Sequence, residues 1–204
     1  MNILDLPIHI LEEIIKLIKT KNTFLNLRFS CKTFYKLMET IYHYQDNKII
    51  GVYPFKNHKP CGFHIRYHCN SIIRSIVEYY DGMLNGKHLE YDMFGNLIYK
   101  GMYLDNKKHK SHIIYYKDYI LKKTNYIYGV KNGIEFNYYR NSLLKNVIRY
   151  RLGKKHGLCY YYYPNGNKNC ICNYNNNLLN GQYSVYDSLG SLIIRCIYEN
   201  NKLN

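Results

Sequence analysis

The sequence predicts an α+β protein, in which a small N-terminal module of three helices precedes an extended antiparallel sheet of β-hairpins. Three observations favour this fold class. Apolar residues recur at helical spacing near the N-terminus, a glycine then recurs about every 24 residues, and two tyrosines accompany each repeat. We therefore expect a helical module at residues 1–45 and a repeat domain at residues 46–204.

The helical module is predicted from its apolar spacing. In the first helix this spacing is set by Ile10, Leu11, Ile14, Ile15 and Ile18. Pro7 suits its first turn, and a second short helix is expected from Thr23 to Phe29. Ser30 is placed to cap a third helix, whose apolar stripe consists of Phe34, Leu37, Met38 and Ile41. So small a module is expected to rest against a partner or the sheet.

The repeat is clearest in two segments 95 residues apart, LNGKHLEYDMFGNLI and LNGQYSVYDSLGSLI, which share eight of fifteen positions. Their glycine belongs to a series with intervals of 24, 24, 23, 24 and 24 residues: Gly62, Gly86, Lys110 in the one missing slot, Gly133, Gly157 and Gly181. Five residues after each anchor stands a first tyrosine: Tyr67, Tyr91, Tyr115, Tyr138, Tyr162 and Tyr186. Sixteen or seventeen after it stands a second: Tyr79, Tyr103, Tyr126, Tyr150, Tyr174 and Tyr198. We infer about six units.

Each unit carries two turn signals, so it is expected to form one β-hairpin. The first signal ends in a glycine suited to positive φ, as in YDMFG, YPNG and YDSLG. The second is a DG, DN or NN pair, which favours tight hairpin turns. Along the first strand, alternation places Phe63, Ile65 and Tyr67 on a mostly apolar face and His64 and Arg66 on a polar one.

Positive charge is concentrated in the middle of the repeat domain. The chain has a net charge of +15, and between Lys107 and Lys155 thirteen basic residues face only Asp118 and Glu135. Such a field attracts anionic lipid or nucleic acid, but a solvated face that keeps the sheet soluble is the favoured interpretation. The candidate anionic-partner surface consists of Lys107, Lys108, Lys122, Lys123, Arg149, Arg151, Lys154 and Lys155.

The remaining composition excludes several classes of protein. Seven cysteines without framework spacing favour a reducing, intracellular compartment. Acidic residues interrupt the apolar N-terminus, so it does not resemble a signal peptide, and no stretch is apolar enough for a transmembrane segment. No nucleophile, phosphate-loop or metalloprotease motif is present, so we expect no catalytic residues, no cofactor and no enzyme.

Two cysteines and two histidines, Cys61, His64, His68 and Cys69, invite comparison with a zinc site. On a strand the histidines share one face and the cysteines the other, so four convergent ligands are not expected. We therefore predict no metal. Cys170 and Cys172 share a face beside the second tyrosines, where packing is the favoured interpretation.

The helical module resembles an F-box. The similarity follows Leu6 and Pro7, the first-helix residues named above, and then Phe24, Leu25, Leu27, Arg28, Ser30, Cys31, Lys32 and Phe34. The sequence departs from the family at His9, where an acidic residue is usual, and at Phe34, where tryptophan is common.

The repeats resemble MORN repeats, in the variant found in antitoxin-like proteins. Glycine, a tyrosine strand, a glycine turn and a second tyrosine turn recur in the same order, with Lys110 and Tyr119 as departures in the third unit. Together the two parts resemble the F-box and MORN-repeat proteins of giant DNA viruses of amoebae. That resemblance implies residence inside the cell, in the host cytoplasm if the protein is viral.

The resemblance implies a substrate adaptor of a cullin-RING ubiquitin ligase. The helices would bind the Skp adaptor subunit, and the repeat sheet would bind a target protein that the sequence does not identify. The implied Skp-binding anchors are Leu6, Pro7, Ile10, Ile14, Leu25, Leu27 and Phe34. Those residues could equally serve only to pack the module. The alternative function is a non-enzymatic MORN-repeat scaffold that binds anionic lipid or nucleic acid through its basic segment.

Overall fold

The computed structural model describes residues 39–45 and 48–204, and these residues form one antiparallel sheet of 18 strands. The strands are β1 Glu39–Gln45, β2 Lys48–Lys56, β3 Lys59–Pro60, β4 Gly62–Tyr67, β5 Ile73–Tyr80, β6 Met83–Tyr91, β7 Leu97–Leu104, β8 Lys107–Tyr116, β9 Tyr119–Ile127, β10 Val130–Lys131, β11 Gly133–Tyr138, β12 Leu144–Arg151, β13 Lys154–Lys155, β14 Gly157–Tyr162, β15 Lys168–Asn175, β16 Leu178–Tyr186, β17 Leu192–Glu199 and β18 Lys202–Leu203.

The α+β prediction is wrong, because the described part of the chain is all-β and contains no helix. β1 occupies the end of the predicted third helix and pairs with β2 from Glu39↔Phe55 to Gln45↔Lys48. The segment ETIYHYQ is rich in β-branched and aromatic residues, which favour a strand and outweigh the helical spacing that ends at Ile41. The other helical predictions lie at residues 1–38, outside the described residues.

The strands form a meander in which each long strand pairs with its neighbours along the chain. Within one unit Gly86 lies opposite Tyr103, and between units Tyr103 lies opposite Lys108. β3, β10 and β13 each lead, after one residue, into the following strand, so they are the first parts of longer interrupted strands. The predicted hairpin repeat is therefore confirmed over the described residues.

Both predicted kinds of turn are confirmed by the backbone. Gly95, Gly166 and Gly190 have positive φ in the first turn of their units, and Ser71 and Ser142 do the same elsewhere. In the second turn two consecutive residues have positive φ, as at Asp105–Asn106, Asn176–Asn177 and Asn200–Asn201. That pattern is the one that matches the twist of a two-residue hairpin.

The anchors occupy left-handed backbone positions, which explains why glycine recurs there. Gly86 has a φ of 126° and Gly181 a φ of 104°. An added Cβ at Gly86 would collide with the Glu78 side chain, so the glycine also permits a close contact. Lys110 adopts a φ of 59° at the same place in the third unit.

The two tyrosine series lie on opposite faces of the sheet. Strand alternation places the tyrosine five residues after each anchor on one surface, the first-tyrosine face, which also carries Ile65, Leu89 and Phe136. The later tyrosine of each unit lies on the other surface, the second-tyrosine face. The faces are therefore chemically distinct along the described sheet.

Each face carries one buried cluster, and the clusters lie in different hairpins. On the first-tyrosine face Val52, Ile65, Ile76 and Leu89 form one row across β2, β4, β5 and β6. On the second-tyrosine face Ile148, Cys159 and Cys172 form another, in β12, β14 and β15. No single central core unites the described hairpins, which is typical of repeat proteins.

Asparagine side chains join the turns of successive hairpins. In the first turn Asn70, Asn141 and Asn165 each donate from Nδ2 to a carbonyl in the next unit, 23 residues on, at distances of 2.7 to 3.0 Å. In the second turn Oδ1 of Asn106, Asn177 and Asn201 accepts a backbone N–H from the preceding unit. These bonds give six of the 25 asparagines of the chain a structural role.

Candidate functional site

Histidines and tyrosines interleave on the second-tyrosine face of the first three units. His64, His88 and His112 each stand two residues after an anchor. His64 lies 4.5 Å from Tyr79, His88 lies 5.7 Å from Tyr103, and His112 lies 5.0 Å from Tyr126, measured between ring centroids. These rings fill the surface that simple alternation describes as polar.

Burial lowers the pKa of all three imidazoles and so favours their neutral forms. His64 donates from Nε2 to the Pro54 carbonyl at 2.9 Å. His112 donates from Nε2 to the Met102 carbonyl at 2.8 Å, and its Nδ1 accepts a hydrogen bond from the Tyr99 hydroxyl. Gly101 leaves room for this pair, because a Cβ there would meet both rings. These histidines are therefore held as packing elements.

A groove of about 480 Å³ opens on the same face between β4 and β7. Its polar lining includes His64, Arg66, Arg74, Ser75, His88 and Glu90. His88 Nε2 lies 3.0 Å from Glu90 Oε1, and His88 Nδ1 is buried with no hydrogen-bond partner. The groove thus combines the exposed guanidinium groups of Arg66 and Arg74 with the carboxylates of Glu90 and Asp92. The sequence does not predict this groove, because each strand supplies only one or two of these lining residues.

Glu135 is a buried carboxylate within the basic segment. Its Oε2 lies 2.7 Å from Lys131 Nζ and 3.3 Å from Lys122 Nζ, and it accepts a hydrogen bond from the Thr124 hydroxyl at 3.0 Å. Burial alone would raise the pKa of Glu135, but bonds from Lys131 and Asn137 and the Lys122 charge hold it below its ordinary value. Glu135 thus engages two cations of the basic segment and balances one of their two charges.

Three other contacts hold lysines of the second-tyrosine face against rings. The Nζ atoms of Lys108, Lys131 and Lys155 lie 5.3, 4.6 and 5.0 Å from the ring centroids of Tyr126, Tyr150 and Tyr174. Each lysine stands two residues before an anchor, where the second and sixth units have Leu84 and Leu179. A lysine at this position therefore covers the second tyrosine of its own unit.

The predicted anionic-partner surface is divided between the two faces. Lys108, Lys122 and Lys155 lie on the second-tyrosine face and are engaged as described. The remaining members lie on the first-tyrosine face: Lys107, Lys123, Arg149, Arg151 and Lys154. Lys87 and Lys100 join them there, although both stand outside the basic segment. Counting residues in twos from each anchor would have found this division.

The four residues first compared with a zinc site are used separately. His64 packs on Tyr79, and His68 donates from Nε2 to the Tyr91 carbonyl at 2.9 Å. Cys61 is buried and Cys69 is exposed. Within residues 39–45 and 48–204, no three histidine, cysteine, aspartate or glutamate side chains are grouped so that they could hold a metal ion.

Cys172 packs as predicted, in the buried cluster with Cys159 and Ile148. Its hydrogen bond with Cys170 and its burial raise the pKa of the Cys172 thiol. Burial also raises the pKa of the Cys159 thiol. Both thiols are therefore held in the protonated form, as expected of buried cysteines in an apolar setting.

The seven residues named as Skp-binding anchors all lie outside the described residues, so their arrangement stays a prediction. The similarity of the repeats to MORN repeats and the viral origin likewise stay predictions. Among the described residues, no helix has the length and apolar character needed to cross a membrane.

One known domain family matches part of the chain. No curated protein matches it. The F-box domain model matches residues 3–45, which include β1. F-box proteins are typically adaptors, not enzymes, and such a domain is consistent with a role in a ubiquitin ligase. The protein thus carries an F-box domain at residues 3–45, joined directly to a β-hairpin repeat sheet.

Proposed function

We propose that the protein is a substrate adaptor of a cullin-RING ubiquitin ligase. Residues 3–45 bind the Skp adaptor subunit, and the sheet binds the protein to be modified. The chemistry belongs to the assembled ligase, so the chain needs no catalytic residues of its own. The F-box match is the observation that supports this proposal most directly.

The junction between the two parts supports a coupled role. β1 belongs both to the F-box match and to the sheet, where its register with β2 runs over the whole strand with one irregularity after His43. Seven residues are thus shared, and no separate linker precedes the first hairpin. A partner held by the F-box would remain tethered close to the N-terminal hairpins of the sheet.

The anchors of this contact are proposed to be apolar side chains at helical spacing. They are Leu6, Pro7, Ile10, Ile14, Leu25, Leu27 and Phe34. An apolar groove on a partner accepts such residues because burying each one removes apolar surface from water, at about 25 cal/mol per Å². A charge introduced at one of them would have to be desolvated in the contact.

The test is binding of the full chain to purified Skp subunit, measured by titration calorimetry. We expect Ile10→Asp and Leu25→Asp to weaken binding at least tenfold. Leu189→Asp is the matched control, since Leu189 is 85% exposed on the turn between β16 and β17 and the substitution adds the same charge. Far-ultraviolet circular dichroism of each variant checks that the sheet remains folded.

Two results would overturn the proposal. One is the absence of binding by the wild-type chain under conditions in which another F-box protein binds the same subunit. The other is an equal loss of affinity in Leu25→Asp and Leu189→Asp, because that would point to a non-specific effect of charge. A cullin that co-precipitates with the chain only when the Skp subunit is present would extend the result to the assembled ligase.

A further inference from the structure

We propose that the first-tyrosine face binds single-stranded nucleic acid. The contact surface is a basic strip of seven residues on this face: Lys87, Lys100, Lys107, Lys123, Arg149, Arg151 and Lys154. This inference goes beyond the adaptor function and does not depend on it, because Skp binding is proposed for a different part of the chain.

The strip is left uncompensated by the way that the sheet sorts its acids. Between Lys87 and Lys155 the chain has five acidic residues. Both glutamates, Glu90 and Glu135, lie on the second-tyrosine face, where Glu90 contacts His88 and Glu135 forms ion pairs with Lys122 and Lys131. The three aspartates, Asp92, Asp105 and Asp118, lie in turns between strands. From β6 to β13 the first-tyrosine face therefore has cations and no carboxylate. At the edge of the strip Glu78 of β5 lies on the same face, and its Oε2 accepts the Lys87 backbone N–H at 2.8 Å.

Contacts within the protein do not account for the cations of the strip. Among the described residues, the ion pairs of the basic segment involve Lys122 and Lys131, and its ring contacts on the opposite face involve Lys108, Lys131 and Lys155. Lys100, Lys107, Arg149, Arg151 and Lys154 are exposed, whereas Lys87 and Lys123 are half-buried. Lysines and arginines of this kind suit phosphate groups supplied by a partner.

Aromatic rings lie beside the strip on the same face. Lys123 pairs across the sheet with Phe136 on one side and Ile113 on the other. Tyr115 and Tyr138 stand two residues after Ile113 and Phe136 on their strands, and both are half-buried. Charge that follows a polymer backbone next to rings on which bases stack is the arrangement used by proteins that bind single strands.

The dimensions agree with a short single-stranded site. The strip extends from β6 to β13, across six interstrand steps of about 4.8 Å, or roughly 29 Å. At about 3.4 Å per stacked nucleotide, this length corresponds to roughly eight nucleotides, within the range of known single-strand sites. A duplex stacks its bases inside the helix, so its phosphates could contact the cations of the strip but its bases could not stack on the tyrosines.

A membrane surface fits these observations less well. The apolar residues within the strip, Met102, Ile113 and Phe136, are half-buried. Phe94 at 78% and Leu189 at 85% exposure lie on turns elsewhere, whereas Leu152 at 77% lies beside the strip, on the turn between Arg151 and Lys154. An acidic protein segment would engage the charges but would have no use for the rings.

The test is fluorescence anisotropy of the full chain with a labelled 12-nucleotide poly(U) RNA or poly(dT) DNA, titrated at several salt concentrations. We expect Lys100→Gln/Lys123→Gln to weaken binding about tenfold and to reduce the slope of log affinity against log salt by about 1.4, at about 0.7 per phosphate contact. The control Lys108→Gln/Lys155→Gln removes the same charge from the opposite face and should change affinity less than twofold.

A second pair of variants tests the rings. Tyr115→Leu/Tyr138→Leu keeps apolar side chains on the face but removes the stacking surface, and we expect affinity to fall about tenfold with an unchanged salt slope. Hydrogen exchange of each variant checks that its sheet is intact. Skp binding is measured in parallel and should be unaffected, so the two proposals fail independently.

Several outcomes would overturn the assignment. These are the absence of single-strand binding at 50 mM salt, equal affinity for the matching 12-base-pair duplex, and an equal loss in the two lysine variants. Tighter binding to vesicles containing phosphatidylserine, or to polyglutamate, would instead assign the strip to a membrane or to an acidic protein. The proposal is supported if the protein prefers the single strand and if only the variants on the first-tyrosine face lose affinity for it.

Discussion

At the scale of single residues, Glu135 shows how the sheet accommodates its own charge. Among the described residues it is the one buried carboxylate, at 3% exposure, and it has two lysines, a threonine and an asparagine as partners. Lys122 and Lys131 remain 35% and 30% exposed. Solvent therefore screens the lysines more than the carboxylate, so the cost of losing Glu135 should be moderate.

We predict that Glu135→Gln lowers the free energy of local opening around β11 by about 1–3 kcal/mol at pH 7, since the lysines lose their counter-charge. The folded-state pKa of Glu135 lies below its ordinary value of 4.5, so its contribution is complete above that pH and is lost as pH falls through the folded-state pKa. Native-state hydrogen exchange at pH 7 and pH 4 measures both effects.

The control for Glu135 is Glu90→Gln, whose side chain is 44% exposed and which pairs with one histidine. We expect it to cost less than about 0.5 kcal/mol, as exposed pairs usually do. An equal cost in the two variants, or a cost for Glu135→Gln that does not shrink in acid, would contradict the role assigned to the buried cluster.

At the scale of the element, the third hairpin departs from the repeat at its anchor. The other anchors are glycines with positive φ, whereas Lys110 adopts a φ of 59°. A residue with a Cβ in this left-handed region costs about 1–2 kcal/mol more than glycine. The lysine lies at the edge of the basic segment and is exposed, so its side chain gains little in return.

Lys110→Gly is therefore predicted to stabilise the hairpin of β8 and β9 by about 0.5–1 kcal/mol. This gain is the backbone strain that is relieved, minus the free energy lost because the unfolded chain with glycine has more conformational entropy. Hydrogen exchange of the amides around Thr124 measures the change. Lys110→Ala removes the same charge without relieving the strain, so it should give no gain. A gain in both variants would indicate that charge repulsion, not backbone strain, is the cause.

The elements also show where sequence reasoning succeeds and where it does not. Turn residues specify local φ directly, so the hairpins and their boundaries could be predicted from pairs such as Asp105–Asn106. The strand at Glu39–Gln45 could not, because Ile41 continues a helical spacing while its neighbours are strand formers. Pairing with β2 decides between these local preferences, and that contact is not readable from the segment alone.

The candidate surfaces follow the same distinction. Alternation from each anchor places Lys123 and Arg149 on one face, so the basic strip was accessible to sequence reasoning in principle. The contact between Lys155 and the Tyr174 ring depends on the register between hairpins, and so does the groove around His88. Registers between units include irregularities, such as the one between Val77 and Tyr79, and these are not marked by any single residue.

At the scale of the whole molecule, the two buried clusters predict that the sheet does not unfold as one unit. One cluster lies in β2 to β6 and the other in β12 to β15, on opposite faces. The hairpins between them are joined by strand pairing, by the Glu135 cluster and by turn asparagines. Stability in such an array is a sum of local units and nearest-neighbour contacts.

A matched pair of substitutions tests this prediction. Leu89→Ala removes a side chain that is 3% exposed from the first cluster, and Cys159→Ser places a hydroxyl at a position of 0% exposure in the second. We expect each to lower hydrogen-exchange protection by roughly 1–3 kcal/mol in its own hairpins only. Equal loss of protection in both halves from either variant would show a single cooperative unit instead.

The meander has a further consequence for how such a protein can change its reach. Because each strand pairs only with strands adjacent in the chain, a tandem duplication of one unit would insert a complete hairpin without rethreading the rest. The sheet would then lengthen by two strands, or roughly 10 Å. Any binding footprint on a face of the sheet is therefore expected to grow or shrink during evolution in steps of that size.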